Sequence, residues 1–192
     1  ADGSQSEMCG NGVRCIGKYV YEHGLTRKKS VTLETGAGTI ALDLNVKGGC
    51  VETVTVDMGI LRPIPPTFHV RADGKQTRLR TSMEVEGLSF EGTVISMGNP
   101  HFVIEVEDPD LFVIEKFGPI IERHKDFPSR VNVEFVRVLP GDRIRQRTWE
   151  RGSGETFACG SGACAVAAAL VDLGRVGRIS TVDLLGGKLT IE

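Results

Sequence analysis

The sequence is short of several things that would announce a function. It has no basic surplus, with 23 Lys+Arg against 25 Asp+Glu, so no positive field exists to hold a nucleic acid or an anionic membrane. No apolar run approaches the ~20 residues of a membrane span. No C-x-x-C pair suggests a dithiol redox centre. The Cys9–Cys15 and Cys159–Cys164 spacings match no usual zinc pattern. Gly10-Asn11-Gly12 lacks the preceding strand and third glycine of a dinucleotide fingerprint. Five cysteines is an odd number, which excludes a complete disulfide framework within one chain and leads us to expect free thiols in a reducing cytoplasm. The chain opens on a turn-like Ala1-Asp2-Gly3-Ser4, without Met or a charged and then apolar leader. It stops at Ile191-Glu192 in the middle of a strand pattern. We expect further sequence at both ends.

What is present is a core and much glycine. The 40% hydrophobic fraction supports a packed interior and excludes disorder, coiled coil and collagen. At 192 residues the chain suits one large domain or two small ones. Glycine takes 24 positions, nearly twice its usual share of about 7%. Such a content without strict periodicity implies tight turns, or backbone brought close to a ligand.

The glycines also mark an internal repeat. Cys9-Gly10-Asn11-Gly12 matches Cys159-Gly160-Ser161-Gly162, and Gly3-Ser4 with Glu7 matches Gly152-Ser153 with Glu155. Gly24 and Gly174 each lie fifteen residues past their cysteine. Gly38 to Leu42 parallels Gly187 to Ile191 at offsets of 29 and 28. Each unit reads as a helix, Cys9 to His23 and Cys159 to Leu173, stopped by a glycine at C′. The second is Ala-rich and apolar almost all round, which predicts a central buried helix. Alternating strands are expected at 31–33, 39–46, 51–58, 102–106, 131–138, 144–149 and 179–184. Further helical patterns cover 111–117 and 120–124. The proline-dense Arg62-Pro63-Ile64-Pro65-Pro66 separates the units. The expected fold is α+β: two pseudo-symmetric halves, 1–60 and 61–192, each a strand layer or barrel around a central helix.

Cys9 and Cys159 are the candidates for chemistry. Each falls at the first turn of a helix, where free N–H groups and partial positive charge are expected to lower a thiol's pKa and to bind a carboxylate. Two such sites related by duplication fit a symmetric task, in which thiols flank one carbon bearing a carboxylate. One thiolate removes the α-proton and the other thiol delivers a proton to the opposite face, while two helix N-termini stabilise the developing charge. Cys15, Cys50 and Cys164 read as core filling. Among polar residues, His101 follows Gly98-Asn99-Pro100 and could tune a thiol or contact substrate. Asn132 is either a strand-edge residue or a ligand contact. Arg151, after Glu150, could fork onto a carboxylate or be solvated surface. His23 reads as a helix-dipole partner, and His69 and His124 have no special context.

Met8-Cys9-Gly10-Asn11-Gly12-Val13-Arg14-Cys15, Gly98-Asn99-Pro100-His101, Arg130-Val131-Asn132, Glu150 to Thr156 and Ala158 to Gly162 together closely resemble the diaminopimelate epimerase family. The resemblance covers the whole chain. It implies a two-base isomerase, independent of PLP and metal, that interconverts LL- and meso-diaminopimelate for lysine and peptidoglycan synthesis, expected as a cytoplasmic homodimer with no nucleic-acid or membrane partner. It implies that Cys9 and Cys159 are catalytic, with His101 and Glu150 assisting. Gly10, Asn11, Gly160 and Ser161 match the loops holding the reacting carboxylate. Asn99, Asn132, Glu150 and Arg151 match contacts to the amino acid, chiefly its distal end. Ser161 stands where the family often has Thr, and the family's N-terminal segment and last strand do not align here. Proline or hydroxyproline racemases are the nearest alternative, although they carry Cys-Gly-His-Gly where Asn11 stands. A non-catalytic amino-acid-binding relative is another, against which the two retained cysteines speak.

Overall fold

The computed structural model describes residues 9–36, 38–64, 68 and 77–192. Gly3, Ser4, Glu7, Met8, Pro65, Pro66 and His69 therefore lie outside the described residues. The chain divides into two compact units, Ala1–Gly59 and Ile60–Glu192.

In the first unit, helix α1 (Gly10–Glu22) is followed by strands β1 (Ser30–Thr35), β2 (Gly38–Lys47) and β3 (Cys50–Val56), antiparallel in the order β1-β2-β3. Strand β2 buries Ile40, Leu42 and Leu44 at alternate positions, and these pack with Val13 and Val51. Gly17 lets the helix approach that surface, since a Cβ there would lie 3.1 Å from both Leu42 and Leu44. Lys18 Nζ binds Glu22 Oε1 and the Val51 carbonyl, each at 2.7 Å, and Glu22 accepts the Val51 N–H at 2.8 Å. Only Gly10, Val13 and Gly17 of α1 are buried.

The second unit is built on one mixed sheet in the order β11-β10-β8-β7-β6-β5-β4, with β9 (Gly154–Thr156) paired to β8. Its strands are β4 (Arg78–Val85), β5 (Leu88–Ser96), β6 (Pro100–Glu105), β7 (Asn132–Leu139), β8 (Arg143–Glu150), β10 (Ser180–Leu184) and β11 (Gly187–Ile191). The β6–β7 and β8–β10 pairs are parallel, and their crossovers carry α2 (Ile114–Glu122) and α3 (Gly160–Asp172). Side-chain alternation sorts the sheet's two faces. Phe102, Ile104, Val133 and Phe135 pack with Ile114, Phe117 and Ile121 of α2. Val103, Val136 and Ile144 pack with Ala163, Val166 and Leu170 of α3. Small alanines bring α3 close to the sheet, and eight of its residues are buried.

The two units share a local design. Both long helices have 13 residues and begin on an extended cysteine N-cap, Cys9 at φ −126°, ψ 107° and Cys159 at φ −130°, ψ 110°. Both end at a glycine with positive φ, Gly24 and Gly174. A hairpin follows each, its first strand opening at Ser30 or Ser180, both 21 residues past the cysteine. The hairpins close on Thr35↔Gly38 and Leu184↔Gly187.

Some details depart from expectation. The helical patterns at 111–117 and 120–124 form a single helix, α2, with Pro119 inside it; Leu111, Phe112 and Val113 precede it as a turn. Strands β4, β5 and β9 were not anticipated. Cys15 and Cys50 are exposed and Cys164 half-buried, so none of the three fills a core. Cys15 lies on the solvent side of α1, because that helix buries a single narrow face.

Candidate active site

In the first unit the Cys9 end of α1 is laid out by the cap itself. Gly12 N–H donates to Cys9 Sγ at 3.4 Å and Val13 N–H to the Cys9 carbonyl at 3.0 Å. The dipole at this start of the helix favours an anion. The Asn11 side chain accepts from Arg14 Nη2 at 2.5 Å. Cys9 is exposed.

In the second unit the same arrangement recurs inside a core. Gly162 N–H donates to Cys159 Sγ at 3.4 Å and Ala163 N–H to the Cys159 carbonyl at 2.9 Å. Cys159 is 7% exposed. Around it stands a polar cluster on the α3 face of the sheet. Ser161 Oγ lies 3.5 Å from Cys159 Sγ and accepts from Asn99 Nδ2 at 3.2 Å. Asn99 Oδ1 lies 3.1 Å from His101 Nε2, and His101 Nδ1 is 2.8 Å from Glu134 Oε1. Glu134 is fully buried and also accepts from Gln146 Nε2 at 2.8 Å and Thr148 Oγ1 at 2.6 Å. Register explains the gathering: His101 pairs with Asn132 on β6–β7, and Glu134 with Thr148 on β7–β8.

The electrostatics reverse one expectation. Burial pushes the Cys159 thiol far above the ordinary cysteine value, and the negative charges of Glu134 and Glu150 push it the same way. Hydrogen bonds from Ser161 and the Gly162 N–H act in the opposite direction and are outweighed. The helix terminus alone would favour thiolate, but desolvation among carboxylates wins, and Cys159 rests as the protonated thiol.

The remaining expected residues divide between this cluster and its rim. Glu150 accepts from Thr156 Oγ1 at 2.6 Å. Asn132 donates to the Pro100 carbonyl at 2.9 Å and accepts the Arg151 N–H at 2.9 Å, tying the start of β6 to the turn after β8. Each end of that amide keeps capacity for one more bond. Arg151 Nη1 donates to the Ser129 carbonyl at 3.2 Å and the residue is exposed. The structure thus gathers Asn99, His101, Ser161 and Cys159 into one hydrogen-bonded group, while Asn132 and Arg151 form another. His23 caps α1, its Nδ1 3.0 Å from the Tyr19 carbonyl and its ring stacked on Tyr19. His124 bonds the Asp126 N–H through Nδ1 at 3.3 Å, a turn contact.

Glu134, Gln146 and Thr148 were missed from the sequence. The available signal was a charged residue between Val133 and Phe135 in a strand whose neighbours on both faces are apolar, since a buried carboxylate needs partners.

Comparison with known proteins places the chain. The family model described as diaminopimelate epimerase matches residues 1–62 and 93–192. A diaminopimelate epimerase of Leptospira biflexa serovar Patoc is 53% identical over 197 residues, covering 100% of this chain and 69% of that protein. One of Acetivibrio thermocellus is 47% identical over 193 residues, covering 100% of this chain and 68% of its own length. A solved hydroxyproline epimerase from Agrobacterium vitis with bound trans-4-hydroxy-L-proline aligns with a TM-score of 0.66 at 18% identity, over 96% of this chain and 57% of that one, a likeness of fold. The chain therefore spans about two thirds of the length of these curated relatives. With a model matching most of its residues and relatives near half identical along all of it, the chain belongs to the diaminopimelate epimerase family, a family of isomerases.

Proposed function

We propose that this chain carries the two-thiol machinery for interconverting LL- and meso-diaminopimelate. One observation carries the reading: two cysteine N-caps of matching geometry, each with its Sγ held by the N–H three residues on, open two equivalent helices. In this reading the Cys9 thiolate takes the α-proton, the electron pair of the C–H bond passes into the adjoining carboxylate, and the Cys159 thiol returns a proton to the opposite face. Proton count is unchanged and the two sulfurs exchange states, so the reverse reaction runs with the roles swapped. The N–H groups of Gly10, Asn11, Gly160 and Ser161 stabilise the carboxylate as charge builds on it. Resting protonation of Cys159 suits the donor role. In this reading the reaction needs one thiolate and one thiol at the same moment, so the rate follows a bell in pH, falling when both are thiols and when both are thiolates.

His101 and Glu150 assist at the Cys159 side, and Asn99, Asn132, Glu150 and Arg151 bind the substrate, with the Arg151 guanidinium on the distal carboxylate. Acid–base chemistry by two thiols asks for no PLP, metal or nicotinamide. A cytoplasmic homodimer completes the proposal.

The test is a substrate panel of LL-diaminopimelate, L-proline and trans-4-hydroxy-L-proline, followed by chiral chromatography. Formation of meso-diaminopimelate with the other two unchanged is expected. Turnover of proline with diaminopimelate inert would overturn the assignment.

A further inference from the structure

The epimerisation reading gives tasks to Cys159, His101 and Asn99 but none to Glu134, the fully buried carboxylate beneath them. Its surroundings are unusual. Every group it touches is a donor: His101 Nδ1 at 2.8 Å, Gln146 Nε2 at 2.8 Å and Thr148 Oγ1 at 2.6 Å. Two strands supply them, β6 and β8, which flank Glu134 on β7. The helix above is cut to fit, since a Cβ on Gly162 would stand 2.5 Å from Glu134 Oε1. From that oxygen an unbroken line of contacts runs through His101, Asn99 and Ser161 to Cys159 Sγ, with steps of 2.8, 3.1, 3.2 and 3.5 Å.

We propose that Glu134 is a positioning residue of the reaction: it fixes the His101 ring, and through Asn99 and Ser161 it orients the Cys159 thiol toward the reacting carbon. The inference rests on the two-thiol reading and deepens it. A carboxylate accepts only, so it requires the hydrogen at Nδ1, and the ring plane fixed in this way brings Nε2 to 3.1 Å from Asn99 Oδ1. Gln146 and Thr148 both donate to the other carboxylate oxygen, Oε2, and so hold the group in place, as outer-shell partners commonly do for a working histidine. Glu134 has a second, electrostatic effect on the sulfur. Its negative charge adds to burial and to Glu150 in keeping Cys159 protonated. The titratable groups around the thiol are thus Glu134 on β7, Glu150 on β8 and His101 on β6, and the first turn of α3 carries no acidic residue.

Glu134→Gln keeps the shape and removes the charge. We measure Cys159 modification by iodoacetamide against pH, resolved by peptide mass spectrometry and without substrate. The variant's midpoint should fall by about one pH unit, a roughly tenfold faster modification at fixed pH. In the epimerase assay kcat should fall at least about tenfold with KM little changed, and Glu134→Asp should restore the modification profile more than the rate. Nitrogen-15 NMR of the wild-type protein should show an exchange-protected, downfield His101 Nδ1–H, a readout that holds even if the variant folds poorly. A folded Glu134→Gln protein with wild-type kcat and an unmoved profile, or a rapidly exchanging His101 ring proton, overturns the inference. A shifted profile in a protein inert toward diaminopimelate leaves Glu134's role standing and overturns the epimerase reading instead.

Discussion

Replacing Gly162 with Ala puts a methyl group where the α3 N-terminus meets Glu134. The new Cβ would lie 2.5 Å from Oε1, 2.9 Å from Cδ and 3.0 Å from Oε2 of a carboxylate whose oxygens are already committed to His101, Gln146 and Thr148. Something must move. Overpacking of this kind costs about 1–3 kcal/mol, and losing one buried hydrogen bond to a charged group costs about 1.5–3 kcal/mol more. Against this, alanine favours a helix over glycine by about 1 kcal/mol. The net is a destabilisation of about 2–5 kcal/mol, which at this chain length is a fall in Tm on the order of 10 °C. Gly12 is the matching position in the first unit, and there a Cβ would meet only Cys9 Cβ and Sγ at 3.6 Å, an ordinary contact among the described residues. Gly12→Ala should therefore leave Tm unchanged or raise it slightly. Thermal unfolding of the two variants, followed by circular dichroism, reads the contrast directly. A Gly162→Ala protein melting at or above the wild-type temperature would refute the placement of Glu134 against α3.

Two further outcomes are expected. The Arg143 guanidinium, 2.5 Å from Asp183 Oδ2, holds the Asp183 carboxyl below the ordinary carboxylate value of about 3.9. A depressed folded value contributes stability above the ordinary pKa and loses it as pH falls through the folded one; Asp183→Asn should thus melt below wild type at pH 7, with the gap closing below about pH 4, and a gap independent of pH would contradict this. Arg151→Ala should raise KM for diaminopimelate by at least about tenfold with a smaller effect on kcat, since truncating one partner of a desolvated charge pair costs about 2–5 kcal/mol; an unchanged KM in steady-state assays would remove Arg151 from the distal carboxylate.

Much of this architecture was legible because glycine and cysteine punctuate it. The motifs at Cys9 and Cys159 and the stops at Gly24 and Gly174 bracket both long helices, and the alanines of α3 announce its burial. Other features depend on neighbours that one segment cannot reveal. Strand β4 is an exception, since Leu79, Thr81, Met83 and Val85 alternate inward with polar residues outward, a period-two signal carried by the segment itself. Cys15 reads as a core residue until α1 is found to bury a single face. The Cys159 thiol departs from its expected state for the same reason. A helix N-terminus can be read from sequence, whereas the carboxylates of Glu134 and Glu150, 25 and 9 residues away in the chain, reach the sulfur only through the sheet register. Glu134 stands out as a charge between Val133 and Phe135, but its partners on β6 and β8 emerge only when the strands are laid side by side.

The central claim is that two thiols share one proton transfer, and the most direct test is isotope exchange by the single variants Cys9→Ala and Cys159→Ala in ²H₂O. Each is given LL- and meso-diaminopimelate separately, and both configuration and deuterium content at the α-carbon are followed. Neither variant should epimerise. Each should wash deuterium into one stereoisomer only, a different one for each variant, because the surviving sulfur reaches the α-hydrogen from a single face. Epimerisation at the wild-type rate by either variant would contradict the account.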